Sequence, residues 1–184
     1  MNAFVAKFES PVVEDYPSRT WPLHLADESA TTKTLVRSDV EQFGIMFGAS
    51  EAVGEALICG SRPGEWLILG DPEACIAATV EMIGFTSIID HTHSKALFRL
   101  SGLLAASALE KVCSVDWSDS MTPDGAVVSG SVAKVSCDII RNDAGGRPSY
   151  LLACDRSYGQ YLFDALVDAC HEFRRQDNPI IGKA

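Results

Sequence analysis

Apolar and polar positions fall into short, well-defined blocks along this chain, and the sharpest blocks lie between Gly64 and Asp116. Trp66-Leu67-Ile68-Leu69 is a continuous apolar run bounded by glycines, the pattern of a buried strand. Asp71-Pro72-Glu73 then opens a helix. Asp71 can accept from free N–H groups of the first turn, and Pro72 suits a position whose N–H would go unbonded anyway. Ile76, Ala77, Val80 and Ile83 continue at helical spacing and predict a buried face, and Gly84 ends the helix. Phe85 to His91 and Lys95 to Leu100 read as two further strands. Ser101-Gly102 opens a second helix, with Ser101 as its cap. That helix buries Leu104, Ala105, Ala108, Leu109 and Val112, leaves Glu110 and Lys111 wet, and ends near Asp116.

The flanks are richer in strands. Leu35-Val36-Arg37, Gln42 to Phe47 and Ala56 to Cys59 are expected to be extended, with a turn from Gly60 to Gly64. Trp117 to Gly125 is a loop by composition. Ala126 to Ser129 and Val135 to Arg141 read as paired strands, Asn142 to Arg147 as a hairpin tip and Tyr150 to Cys154 as its return strand. Tyr158, Tyr161, Leu162, Ala165, Leu166, Ala169 and Phe173 recur at three and four residues, the mark of an amphipathic helix of about four turns. Strands with three helices among them, and no regular βαβ alternation, predict an α+β fold with mixed or antiparallel sheets.

Residues 1–33 hold no period for long. They mix Pro11, Glu14, Asp15, Tyr16, Pro17, Trp21 and Pro22, and contain too little apolar surface for a core of their own. Tyr16, Trp21 and Leu23 favour an arm laid on a surface, either another chain or its own domain, over a free tail. The expected organisation is an extended arm over 1–33, one α+β domain over 34–176 and a short tail over 177–184.

Composition narrows the function. A net charge of −10 removes the general binders of nucleic acid, because no basic surplus exists to displace counterions from a phosphate backbone. No apolar run approaches the ~20 residues of a membrane span. The first ten residues lack the basic start and apolar core of a signal peptide. A cytoplasmic protein is expected. The six cysteines, Cys59, Cys75, Cys113, Cys137, Cys154 and Cys170, form no Cys-x-x-Cys pair and sit mostly in apolar runs, so they are expected to be buried, reduced thiols.

The candidate chemistry is thin. His91 and His93 would share one side of a strand, but no third ligand follows at useful spacing, so no metal site is expected. Ser94 lacks the strained turn and base of a serine nucleophile. Neither Gly125–Gly130 nor Gly145-Gly146 opens a helix, so neither is a phosphate cradle. Cys113 stands at a helix C-terminus, which raises a thiol pKa, and Asp116 reads as a cap or turn residue. Arg156 heads the last helix, where the dipole disfavours a cation, so it is expected to pair with another chain or reach into water. No catalytic, cofactor-binding or metal set emerges. The residues read as a partner subunit or a degenerate enzyme.

Four stretches carry a resemblance. Gly64-Glu65-Trp66-Leu67-Ile68-Leu69, Ile89-Asp90-His91-Thr92, Phe98-Arg99-Leu100-Ser101-Gly102 through Leu109 to Asp116, and Cys154-Asp155-Arg156-Ser157-Tyr158 through Leu166 to Phe173 stand in order. Together they resemble the gamma subunit of heterotetrameric sarcosine oxidase, within the aminomethyltransferase folate-binding superfamily. The resemblance spans residues 34 to 175. It implies the superfamily's α+β fold and a small non-catalytic subunit of a complex that oxidatively demethylates sarcosine or another N-methyl amine. It also implies three partners: a large alpha subunit, a flavin-bearing beta subunit and a small delta subunit. FAD, FMN, NAD and tetrahydrofolate would belong to those partners, with no cofactor in this chain. The products would be the demethylated amine, formaldehyde or methylene-tetrahydrofolate, and hydrogen peroxide.

Tyr16, Trp21, Trp66, Trp117, Arg156 and Tyr158 are then the expected interface or structural residues. Four departures stand out. Ser114 replaces a family proline, and both the N-terminal arm and the Asn142–Arg147 insert are long. The family's folate-using members pair two acids in the central hairpin, where this chain offers Asp138 alone. The alternative is a stand-alone tetrahydrofolate-dependent one-carbon transferase, or a folate-binding module, with Asp138 or Asp116 as its acid.

Overall fold

Two antiparallel sheets stacked face to face, with helices outside both, account for nearly every apolar block. The computed structural model describes residues 9–13, 19–20 and 23–175. The strands β1 (Arg19–Thr20), β2 (Leu23–Asp27), β3 (Thr32–Ser38), β4 (Ser50–Val53), β5 (Ala56–Arg62) and β6 (Glu65–Gly70) precede helix α1 (Pro72–Ala78). β7 (Thr86–Asp90) and β8 (Lys95–Ser101) lead to α2 (Ala105–Glu110). β9 (Val127–Val132), β10 (Val135–Arg141) and β11 (Ser149–Asp155) lead through a 3-10 turn at Arg156–Tyr158 to α3 (Gly159–His171). The first sheet has the order β1-β2-β8-β11-β10-β9 and the second β4-β5-β6-β3-β7. This is the expected α+β class.

Strand alternation sorts the side chains into three apolar layers. Leu67 and Leu69 of β6 meet Leu97, Ile140 and Leu151 of the first sheet between the two sheets. Trp66 and Ile68 point the other way, joining Val36, Ile58 and Cys75 beneath α1 and the preceding loops. On the far side of the first sheet, Ala96, Phe98 and Leu100 of β8 pack on α2 and α3, with the Phe98 and Phe163 rings 5.5 Å apart. The layers run helix, sheet, sheet, helix.

The chain changes sheet at two places, between β2 and β3 and between β7 and β8. Both crossings meet at Lys33. Its ammonium donates to the carbonyls of Ser29 at 2.8 Å and Thr31 at 2.7 Å, and its backbone N–H to Thr92 Oγ1 at 3.1 Å.

Several elements differ from expectation, each through a non-local contact. The segment expected as an arm supplies β2, whose His24–Asp27 pairs with Phe98–Ser101 of β8 and whose Leu23 and Leu25 are buried. Residues 9–13 lie on this chain's own α3. The Arg156 guanidinium donates to the Glu9 carbonyl, Pro11 packs on Gly159, and the Val13 N–H donates to Gln160 Oε1 at 2.6 Å. Gln42 to Phe47 forms a loop, with Gly44 at φ 68°, where a strand was expected. β5 runs on through Gly60-Ser61-Arg62, expected as a turn, with a register shift between Gly60 and Arg62. Ser101 is the last residue of β8, and Leu104 takes the N-cap position of α2. In α3, Phe163 and Cys170 join Leu162, Leu166 and Ala169 inside, while Tyr161 lies outside.

The largest correction is α1. It ends at Ala78 and buries Cys75, with Ala74, Ala78 and Met82 partly covered. The predicted core face is the outer one: Ile76 is 65% exposed, Val80 73% and Ile83 62%. No helix among the described residues is long and apolar enough to cross a membrane.

Candidate functional site

The outward side of the second sheet holds the candidate site, and Trp66 sets its floor. Alternation along β6 turns the indole away from the first sheet, where Nε1 donates to the Ile45 carbonyl at 2.9 Å and the ring meets Phe43 edge-on at 5.6 Å. The loop carrying Ile45 lies flat on β5 because position 60 is glycine. A Cβ there would stand 2.3 Å from the Met46 carbonyl oxygen, a separation no packed structure tolerates. Reciprocal bonds from Gly48 N–H to the Gly60 carbonyl and from Gly60 N–H to the Ala49 carbonyl, both 2.9 Å, hold it. The result is a groove of about 350 Å³ walled by Val40, Ile45, Met46, Phe47, Pro63 and Trp66, with Asp39, Glu41 and Arg62 among its lining residues.

The next residue along β6, Glu65, faces the other way and closes one end of the inter-sheet core. The register shift in β5 turns Arg62 onto the same face, so Glu65 accepts from Arg62 Nη1 at 2.6 Å and from Arg37 Nε at 2.7 Å. Arg62 also reaches across to Asp138 of β10, 3.6 Å away, whose carboxylate accepts from Ser129 Oγ at 2.7 Å. Burial alone would raise the Glu65 carboxyl, but hydrogen bonds from Arg37 and Arg62 hold it below the usual carboxylate range. This chain of ions is a structural link between the sheets, with Glu65 bonded to two guanidinium groups and Arg62 bridging from Glu65 to Asp138.

The expected site residues separate. Trp66 is buried as the groove floor, and Trp117 is buried on the opposite layer, edge-on to Tyr150 at 5.3 Å. Both rings pack within this chain's own core. The Trp117 Nε1 has no hydrogen-bond partner. Arg156 holds the segment at Glu9 and so serves an internal contact where another chain or water was expected. Tyr158 is exposed. Tyr16 and Trp21 lie outside the described residues.

Asp116 accepts from the Ser118 N–H at 2.9 Å, a turn bond that lowers its pKa. His91 leaves the strand, with Nδ1 2.7 Å from Ser94 Oγ, and burial followed by the charges of Lys95 and Arg37 lowers its pKa. Among the described residues no three His, Cys, Asp or Glu side chains gather as a metal centre would need. All six cysteines are free and buried.

Sequence reasoning missed the apolar surface around the groove. Ile76 of α1, then Val80, Ile83 and Phe85 beyond its end, are all exposed, and Met46 and Phe47 line the groove. The helical period of Ile76, Val80 and Ile83 is visible in the sequence, but period alone does not separate a face packed inside the chain from one that stands outside it. Gln42 joins the two regions: its amide nitrogen donates to the Ile83 carbonyl at 2.7 Å and its amide oxygen accepts from the Ile83 N–H at 3.0 Å.

Solved structures share this architecture. A chain of the heterotetrameric sarcosine oxidase from Corynebacterium sp. U-96 superposes with a TM-score of 0.69 at 18% identity, over 83% of this chain and 85% of that one. The glycine cleavage system aminomethyltransferase T from Bartonella henselae gives a TM-score of 0.63 at 15% identity, over 85% of this chain but 47% of that enzyme. This chain therefore has the fold of the aminomethyltransferase folate-binding structures and spans about half of such an enzyme. No family model and no curated protein matches it.

Proposed function

We propose that this chain is a small non-catalytic subunit of a heterotetrameric, flavin-dependent sarcosine or N-methyl amine oxidase, supporting assembly with the large folate- and NAD-binding alpha subunit. One observation carries the reading. The chain is nearly coextensive with a chain of a heterotetrameric sarcosine oxidase, yet it spans only half of a single-chain aminomethyltransferase. The beta subunit and the small delta subunit complete the proposed assembly. FAD, FMN, NAD and tetrahydrofolate belong to the partners.

The fit of tetrahydrofolate to this chain turns on Asp138. Its carboxylate is buried, and its Oδ1 accepts from Ser129 and lies 3.6 Å from Arg62, so a folate amine would have to enter a buried position and compete with both. Asp116 is engaged in its own turn. These residues do not fit a folate site in this chain, which weighs against a stand-alone transferase.

The test is purification of the tagged chain from its native cell at modest salt, read by absorbance and gel. A yellow complex with further subunits, turning over an N-methyl amine, supports the reading. A colourless monomer that binds tetrahydrofolate, with binding abolished by Asp138→Asn, overturns it in favour of the transferase. In the proposed complex the same substitution leaves amine oxidation unchanged.

A further inference from the structure

The outer layer of the second sheet combines two properties that a solvated surface rarely combines. It is apolar: ten of the fifteen exposed large hydrophobic side chains among the described residues fall between Val40 and Ile89. Ile88 and Ile89, adjacent on β7, face opposite sides of the sheet, but others of the set are linked in space. The Gln42 clamp sets Val40 beside Gly84, joining the groove to the stretch after α1, and Val53 faces Ala74 and Ala77 across a cleft at the other end of the helix. Patches of this kind on soluble proteins mark interaction sites.

The same layer is acidic. Between Asp39 and Asp90 stand nine carboxylates and one base, Arg62, and Arg62 already serves Glu65. All the acids except Glu65 are exposed. This stretch therefore carries eight of the chain's ten net negative charges.

We infer that this face, α1 with the groove beside it, docks a protein surface that is apolar at its centre and basic at its rim. The charge pattern selects the occupant. A second copy would set carboxylates against carboxylates, and like charges facing across an interface cost several kcal/mol. A basic rim instead steers the encounter, while the outward residues of α1 and a side chain seated in the groove supply the apolar contact. The inference rests on the subunit reading only for which protein supplies that surface; on that reading it is the large subunit.

The experiment places a photoreactive benzoylphenylalanine at Val80, or at Tyr158 on the opposite layer, in the tagged full-length chain made in its native cell. The purified material is irradiated and the cross-linked peptides are read by mass spectrometry. Both positions are exposed, so the probe replaces no packed side chain. The expected result is a cross-link from Val80, and none from Tyr158, to peptides of another chain rich in Lys and Arg around an apolar centre. Glu73→Lys with Glu81→Lys should slow association roughly tenfold at low salt, an effect that high salt removes.

Cross-links from Tyr158 alone, from Val80 to a second copy, or from Val80 to an acidic surface overturn the inference. If a flavoprotein complex is nevertheless recovered, the subunit reading survives that failure. A Val80 cross-link to a basic protein without flavin leaves the inference standing and removes the subunit reading. A chain that cross-links to nothing and is recovered alone overturns both.

Discussion

Lys33 gives the most demanding test of the fold. Its side chain is entirely buried where both inter-sheet crossings meet, held by the carbonyls of Ser29 and Thr31. Burial lowers its pKa from 10.5 to about 8, the charges of Asp27 and Asp90 working against the fall and that of Arg156 adding to it. The sign follows from proton linkage. Above pH 8 the folded state begins to release this proton, while the unfolded chain keeps it until about 10.5, so the unfolded state binds more protons and stability rises with pH. The contribution is complete above the unfolded pKa and is lost as the pH falls through the folded one. Integrated over that window the gap is worth roughly 3 kcal/mol, at a slope of up to about 1.4 kcal/mol per pH unit.

The assay is urea unfolding of the wild-type chain and Lys33→Met at several pH values from 7 to 10.5. Tyrosines, thiols and surface lysines titrate alike in both proteins, so the difference between them isolates Lys33. Wild-type stability minus that of Lys33→Met should climb by about 3 kcal/mol across the range. The absolute offset is a separate matter, because methionine removes the buried charge but leaves two carbonyls without their donor. A flat difference would mean that the carbonyls fully replace water around the ammonium, and one that fell with pH would mean that they do better than water. Either result refutes the desolvation argument.

Two further outcomes follow from backbone geometry. Gly60→Ala should cost about 1–3 kcal/mol, by lifting the loop whose Met46 carbonyl occupies the Cβ position, and should red-shift tryptophan emission as Trp66 gains solvent. Lys134→Gly should raise stability by about 1 kcal/mol in thermal melts, because Lys134, at φ 70° in the β9–β10 turn, takes a left-handed conformation that costs a side-chain-bearing residue and costs glycine nothing.

Much of the architecture was legible wherever neighbours in sequence decide the outcome. The glycine-bounded run at Trp66–Leu69, the β10–β11 hairpin and the apolar side of α2 all formed as their patterns require. The misreadings share one cause. β2 is five residues long and owes its place to pairing with β8, some seventy positions away. The loop from Gln42 to Phe47 has a strand's composition, but it lies flat because of a missing Cβ at Gly60. The groove was invisible for the same reason, since it exists only once that loop is placed over Trp66. The inter-sheet ion chain was equally hidden, because a register shift in β5 decides which way Arg62 points.

Helix α1 differs in kind, because its period was read correctly and its burial was not. Ile76 lies in α1 and Val80 in the turn just beyond it, four residues apart as a packed helix face requires, yet both are exposed in this chain. A stripe buried within the chain loses about 2–4 kcal/mol for each large side chain truncated. A stripe open to water loses almost nothing, and glutamine even improves on isoleucine in helix propensity. Ile76→Gln combined with Val80→Gln should therefore change the unfolding free energy of the isolated chain, read by urea titration, by less than about 0.5 kcal/mol, and should reduce any tendency to self-associate. A loss of several kcal/mol would mean that the stripe is packed inside and that α1 is turned the wrong way. If stability is unchanged in isolation but recovery of partner subunits is lost from the cell, the period was selected for burial after all, in a core that two proteins complete together.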